Sequence, residues 1–342
     1  MKYFKYILFL LLIAIIGTAI YIAVQPNEFS VTRVRTIKAP SAVVYNNVID
    51  FKNWEAWSAW VEADPDVKIM LSEQTKGVGG SYSWEDKDGT GTMKILDATE
   101  HTSINMQMQF EDFPPSDIAW NFSPNEDGST EVTWNIFGKD LPFGFKAYAT
   151  FTGGMEKQIG PNFERGLEKL DSIIVSSMKV YSLKIDGVTE YGGGFYLYKT
   201  TSATSSNISS IMGKQYGDIV AYMSVNNIAF NGMPFTIYNE MNQDNGNVIM
   251  SNAIPVKEKI VIPGENTILC DYMPKVNVLK ATLKGNYTNL GEAWQVAYNH
   301  IKDNGLTLDE TIKPFEIYTT DPGDYPNPAD WVTEIYIPIR DE

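Results

Sequence analysis

The residues MPFTIYNE at 233–240 return as KPFEIYTT at 313–320, and NAIPV at 252–256 returns as YIPI at 336–339. Ahead of each pair lies a segment with helical character, SSIMGKQYGDIVAYMSVNN and LGEAWQVAYNHIKDNG, and ahead of each helix a strand-like run, GGGFYLYKTTS and VLKATLKGNYTN. A diverged internal duplication constrains the fold more tightly than any single motif. Each copy reads strand, helix, strand, strand. Two copies side by side predict one antiparallel sheet with helices on one face and a cleft near the pseudo-twofold axis, a favourable place for a ligand.

The last strand poses a question of its own. Residues alternate across a strand, so in TEIYIPI the residues Glu334, Tyr336 and Pro338 share one face and Ile335, Ile337 and Ile339 the other. With the isoleucines in a core, Glu334 and Tyr336 face water or a cavity. Aligning the two copies sets Ser251 against Glu334 and Ala253 against Tyr336. A carboxylate needed to build the sheet would recur in both copies. One that serves a single shared pocket need not.

At the other end, Tyr6 to Val24 is free of charge, behind Lys2 and Lys5 and ahead of Pro26, a run long enough to cross a bilayer as a helix. The only cysteine, Cys270, is far from any lipoprotein junction, and no A-x-A-like site is evident, so the run reads as an uncleaved single-pass anchor. Two lysines before the first apolar run favour a cytoplasmic N-terminus and an extracytoplasmic body, although Arg33, Arg35 and Lys38 follow the run. More than 300 residues remain, enough for two cores. The net charge of −15 is shared by both halves and gives no footprint for nucleic acid.

Between anchor and duplication, Val31, Val34 and Ile37 mark a strand, and Ser41 can cap a helix carrying Val44 and Val48. Turns at Asp88-Gly89 and Asp127-Gly128 predict hairpins. Met155, Ile159, Phe163, Leu167, Leu170 and Ile174 form a stripe at helical spacing. The expectation is a curved antiparallel sheet wrapped on a long final helix, with Trp84, Trp120 and Trp134 on its strands as core residues. IKAPSAVVYNNVIDFKNWEAWSAW and IGPNFERGLEKLDSII make this segment resemble the SRPBCC superfamily, the START-like or polyketide-cyclase-like helix-grip fold. The resemblance implies an apolar ligand held between sheet and final helix.

The duplication, and above all PFEIYTTDP…ADWVTEIYIPI, resembles the GyrI-like effector-binding domain of bacterial transcription regulators. The resemblance places the family's binding carboxylate on Glu334, in a cleft among aromatic residues that takes cationic or amphipathic small molecules. Tyr336, Tyr318, Trp294 and Tyr238 are the candidate walls. An unpaired carboxylate walled by rings would favour a cation. Taken alone, Glu334 is as readily a solvated strand residue.

The chain therefore reads as an α+β protein: a transmembrane anchor and linker over 1–27, a helix-grip domain over 28–177 and a GyrI-like domain over 178–342. Two separated histidines, His101 and His300, and one cysteine argue against a metal site. No phosphate-binding fingerprint implies a nucleotide cofactor; the glycine runs GVGG and GGGF read as turns. No helix-turn-helix precedes the second domain, so nucleic acid is not an expected partner. The expected partners are a small molecule and, through the N-terminal helix, a membrane; protein partners are left open. Two further functions also stay open. One is hydrolysis of small electrophiles, with Glu334 as base and Tyr318 or Tyr336 as hydrogen-bond donor. The other is an envelope interaction module in which both clefts are vestigial.

Overall fold

The computed structural model describes residues 2–204, 206–242, 246–264 and 266–340. By its internal contacts the chain divides into Met1–Ser177 and Met178–Glu342.

The first unit begins with helix α1 (Lys2–Ala23), whose side chains are almost all exposed. It continues through β1 (Phe29–Ile37), α2 (Ser41–Val48), and the short helices α3 (Trp54–Trp57) and α4 (Ala59–Ala63). Six strands follow: β2 (Lys68–Leu71), β3 (Ser81–Asp86), β4 (Gly89–Thr99), β5 (Ser103–Phe110), β6 (Ser116–Pro124) and β7 (Thr130–Gly138). Helices α5 (Phe143–Thr152) and α6 (Met155–Ser177) close the unit. The sheet is an antiparallel meander in the order β1-β7-β6-β5-β4-β3-β2, and α6 lies against it. The core is a pile of rings: Trp134 stacks on Phe163 of α6 at 3.7 Å between centroids and on Trp120 at 4.3 Å.

Three details depart from the expectations. Pro40 occupies the N-cap of α2, so Ser41 is its first helical residue and makes no capping bond. In β1 the inner face is Val31, Arg33, Arg35 and Ile37, while Val34 is exposed. The two arginines reach across to α6, Arg33 to Glu156 and Glu164 and Arg35 to Asp171, which ties the helix to the sheet edge. Trp120 and Trp134 are core as expected, but Trp84 is partly exposed and lies over Gly91.

The second unit contains β8 (Ser182–Tyr191), β9 (Gly194–Thr204), α7 (Ile208–Val225), β10 (Phe235–Asn242) and β11 (Asn247–Val256). It then repeats with β12 (Leu269–Met273), β13 (Val276–Lys284), α8 (Leu290–Asp303), β14 (Phe315–Tyr318) and β15 (Val332–Pro338). The two expected strand–helix–strand–strand copies are β9-α7-β10-β11 and β13-α8-β14-β15. They join through β10 and β14, where Thr236 sits opposite Glu316 in antiparallel register. Phe235 pairs with Ala253 and Phe315 with Tyr336, so Ser251 is the structural counterpart of Glu334, as the aligned repeats require.

The duplication does not reveal two flanking strands. The sheet order is β12-β9-β11-β10-β14-β15-β13-β8, so β8, which precedes the first copy, pairs with the second, and β12 does the reverse. Eight strands about 4.8 Å apart put the edges of a flat sheet roughly 30 Å from each other. Yet β8 at one edge passes to β9, next to the other edge, through only Gly192 and Gly193, and three residue steps span at most about 11 Å. The sheet has to curl. Both helices cover its outer face, α8 over Leu279, Leu283, Ile335 and Ile337 and α7 over Leu197 and Ile254. The inner face packs Tyr196, Phe235, Met273, Phe315 and Tyr336 upon one another.

Candidate functional site

Because the sheet curls, its inner face encloses a cleft of about 270 Å³, walled by Tyr191, Tyr196, Phe235, Met273 and Ile317, with Glu334 as its carboxylate. The turn joining β8 to β9 forms the rim. Gly193 there has φ +70°, and a Cβ on it would stand 2.2 Å from the Met273 carbonyl oxygen. Only glycine fits where the two crossing connections touch.

The expectation of an unpaired carboxylate at Glu334 is overturned. Its Oε1 accepts a charge-assisted bond from Lys280 Nζ at 2.7 Å, and its Oε2 accepts the Tyr336 hydroxyl at 2.6 Å. Lys280 projects from β13, whose register sets it beside Tyr336, and its ammonium lies 5.7 Å from the centre of that ring. Burial, together with the carboxylate it serves, holds the Tyr336 hydroxyl well above the usual phenol range. The Tyr336 ring stacks flat on Phe315 with centroids 5.0 Å apart, which fixes the hydroxyl on the carboxylate. Glu334 is a clamped ion pair facing a cleft.

The other expected wall residues lie elsewhere. Ile317 is paired with Glu334 and Tyr318 with Thr333, so Tyr318 points to the helix-covered face. Tyr238 and Trp294 are on that face as well, where their rings meet edge to face at 5.6 Å. A Glu334–Tyr318 dyad is thus divided by the thickness of the sheet, and Tyr336 is the phenol that Glu334 has. Of the five residues expected in one cleft, Glu334 and Tyr336 are on the inner face, and Tyr318, Tyr238 and Trp294 on the outer.

What gathers those three is a residue that the sequence reasoning passed over. Glu316, only 1% exposed, accepts hydrogen bonds from Trp294 Nε1 at 2.5 Å, Tyr238 Oη at 2.8 Å and Tyr318 Oη at 2.8 Å. Its repeat counterpart Thr236 continues the network, accepting from Tyr216 at 2.9 Å and donating to Asn252 at 2.8 Å; Asn252 in turn donates to Gln215 at 2.7 Å. No cation pairs with Glu316 among the described residues. Desolvation pushes its carboxyl above the ordinary range, against the pull of its three donors. Burial and the Glu316 charge likewise raise the Tyr238 and Tyr318 hydroxyls far above a free phenol. The available signal was the duplication itself: a glutamate standing where its sister copy has threonine, two residues before a tyrosine common to both.

In the first unit, the indole N–H groups of Trp57, Trp120 and Trp134 are buried with no acceptor among the described residues. Among the described residues no group of three His, Cys, Asp or Glu side chains could hold a metal ion.

A sheet gripping a long C-terminal helix, followed by a duplicated sheet curled around an aromatic cleft, defines a chain made of two ligand-binding scaffolds. Residues 28–174 match the family of polyketide cyclases, dehydrases and lipid-transport proteins, and residues 204–340 match the GyrI-like small-molecule-binding domain. The chain carries an SRPBCC domain and a GyrI-like domain, in that order. Comparison with curated protein sequences gives no significant match. Among solved structures, the C-terminal domain of EcmrR is similar at 21% identity, covering 48% of this chain and 99% of that one, with a TM-score of 0.37. EcmrR in complex with DNA is similar at 17% identity over 58% and 72%, TM-score 0.42. A protein of Thermus thermophilus is similar at 15% identity over 44% and 99%, TM-score 0.34.

Proposed function

We propose that the chain is a membrane-anchored small-molecule-binding protein whose GyrI-like cleft takes an amphipathic ligand at Glu334. Tyr336 is assigned to orient that carboxylate, while Tyr318, Tyr238 and Trp294 brace the sheet from behind through Glu316. The anchor is α1, with Tyr3–Ala23 long and apolar enough to cross a membrane, the N-terminus cytoplasmic and the body outside. The proposed domains are residues 28–177 and 178–342. In the first, an apolar ligand bearing a hydrogen-bond acceptor would satisfy the indole N–H groups of Trp57, Trp120 and Trp134. Each of these costs about 1–3 kcal/mol while unpaired.

The observation that carries this reading is a lysine-paired carboxylate facing a cleft lined by aromatic and aliphatic side chains. Lys280 already neutralises Glu334, so a neutral amphipathic ligand enters without penalty and a cationic one has to displace the lysine. Both Glu334 oxygens are engaged, which weighs toward binding and against Glu334 as a water-activating base. The test is fluorescence titration of the detergent-solubilised chain with a lipophilic cationic dye. Lys280→Met should tighten binding about tenfold, or ~1.4 kcal/mol. Glu334→Gln should bind no better than wild type. Equal affinities in all three proteins would overturn the cleft reading. Native mass spectrometry would identify any co-purified molecule, whose loss in the Glu334 variant would locate it.

A further inference from the structure

Helix α5 is built inside out. Its one charged residue, Lys146, is 8% exposed, whereas Phe143, Tyr148 and Phe151 are 51%, 52% and 74% exposed. At 100° per residue these three rings, with Gly144 between them, lie within one arc of the helix surface. From residue 141 to residue 155 there is no acidic side chain, and Lys146 is the only charge. The opposite side holds the helix to its unit: Phe145 stacks on Phe29 at 5.8 Å and meets Phe113 edge-on at 5.3 Å. In water an exposed aromatic face beside a buried ammonium is the unfavourable arrangement on both counts.

The buried lysine explains where the helix sits. Its Nζ donates to the Ala23 carbonyl at 3.2 Å, one of the orphan acceptors at the C-terminal, negative end of the α1 dipole. Helix α5 packs on α1, and the Leu141 N–H bonds the Asn27 carbonyl, fastening the entry of α5 to the linker that leaves α1. A 21-residue span is about 31 Å long, the thickness of a hydrocarbon core. Ala23 then comes at the boundary between acyl chains and headgroups, and so does whatever is attached to it.

We propose that α5 is an interfacial helix, whose Phe143, Tyr148 and Phe151 rest in the headgroup layer of the bilayer that α1 crosses. Aromatic side chains are favoured at that depth. This assignment rests on the anchor reading of α1. It goes beyond it in making one end of the SRPBCC domain a membrane-bound face. Helix α5 packs on α1 and carries no acidic residue of its own, Asp140 and Glu156 lying just outside it, which suits lipid better than a second copy of a chain carrying net charge −15.

The full chain, in a Cys270→Ser background, is reconstituted in phosphatidylcholine vesicles containing a doxyl-labelled lipid. Single cysteines carrying a fluorophore are placed by Ile13→Cys in α1, Phe151→Cys in α5, and Glu126→Cys at the turn between β6 and β7, the far end of the strand that leads into α5. Quenching at 13 and at 151, each several-fold stronger than at 126, is the expected result. Quenching at 13 without 151 overturns the α5 assignment and leaves the anchor intact. Quenching at 151 alone removes the anchor and with it the placement of α5 beside a membrane-crossing α1, leaving only a lipid-binding α5. Equal, weak quenching at all three positions overturns both. Both substituted positions outside α1 are exposed, so folding is not at stake.

Discussion

A residue's place in a strand settles its face but not its neighbour. Alternation correctly separated Glu334 from Ile335, but it could not place Lys280, 54 residues upstream, within 2.7 Å of that carboxylate. Nor could it tell that Tyr318 faces away from Glu334, because that depends on the pairing of Ile317 with Glu334. Glu316 is the reverse case: a charged residue at the centre of a buried network, fully dependent on three donors. Its raised carboxyl has a consequence of definite sign. A folded value above the ordinary one near 4.5 means that the protonated form favours folding. That contribution is complete below about pH 4.5 and is lost as pH rises through the folded value. Other carboxylates, such as Asp186 beside Lys184, are held below the ordinary range and act oppositely, so the comparison has to be with a variant. Thermal melts of wild type and Glu316→Gln should show wild type gaining stability relative to the variant as pH falls from neutral toward about 4.5. A pH-independent difference would mean that Glu316 titrates normally.

Elements were legible to the extent that the chain repeats itself or keeps a period. The stripe from Met155 to Ile174 gave α6, and the echo of PFTIY in PFEIY gave β10 and β14. Strands β8 and β12 have no such echo, since each pairs with the copy it does not precede, and α5 has no stripe because its apolar side faces outward. The connection between β8 and β9 is where an element can be broken most cheaply. Gly193→Ala would put a methyl group into the Met273 carbonyl at a left-handed φ, with backbone on both sides and nothing free to yield. We expect a loss of at least ~2 kcal/mol in unfolding free energy together with weaker dye binding, because the same turn forms the rim of the cleft. Gly213→Ala in α7, where nothing lies within 4 Å, is the matching control and should be neutral or stabilising.

At the scale of the whole molecule the two readable features were the order of domains and the apolar N-terminal run. What was not readable was how the rings of the first domain stack on one another, since stacking distances come only from the assembled sheet and helix. The proposed anchor makes a simple prediction. After an alkaline wash, the full chain should stay with the membrane pellet, and a chain lacking residues 1–27 should be released. Release of both would show that α1 does not span.

One feature of the curled sheet also bears on how such a chain could have arisen. Because the flanking strands β8 and β12 are exchanged between the copies, neither copy owns a complete set of neighbours. A gene encoding one copy alone would make a subunit with an open edge and an unmatched strand, and two such subunits would satisfy each other by trading arms. The second unit thus has within one chain the pairing that two such subunits would make between them, with Thr236 of one copy facing Glu316 of the other at the join.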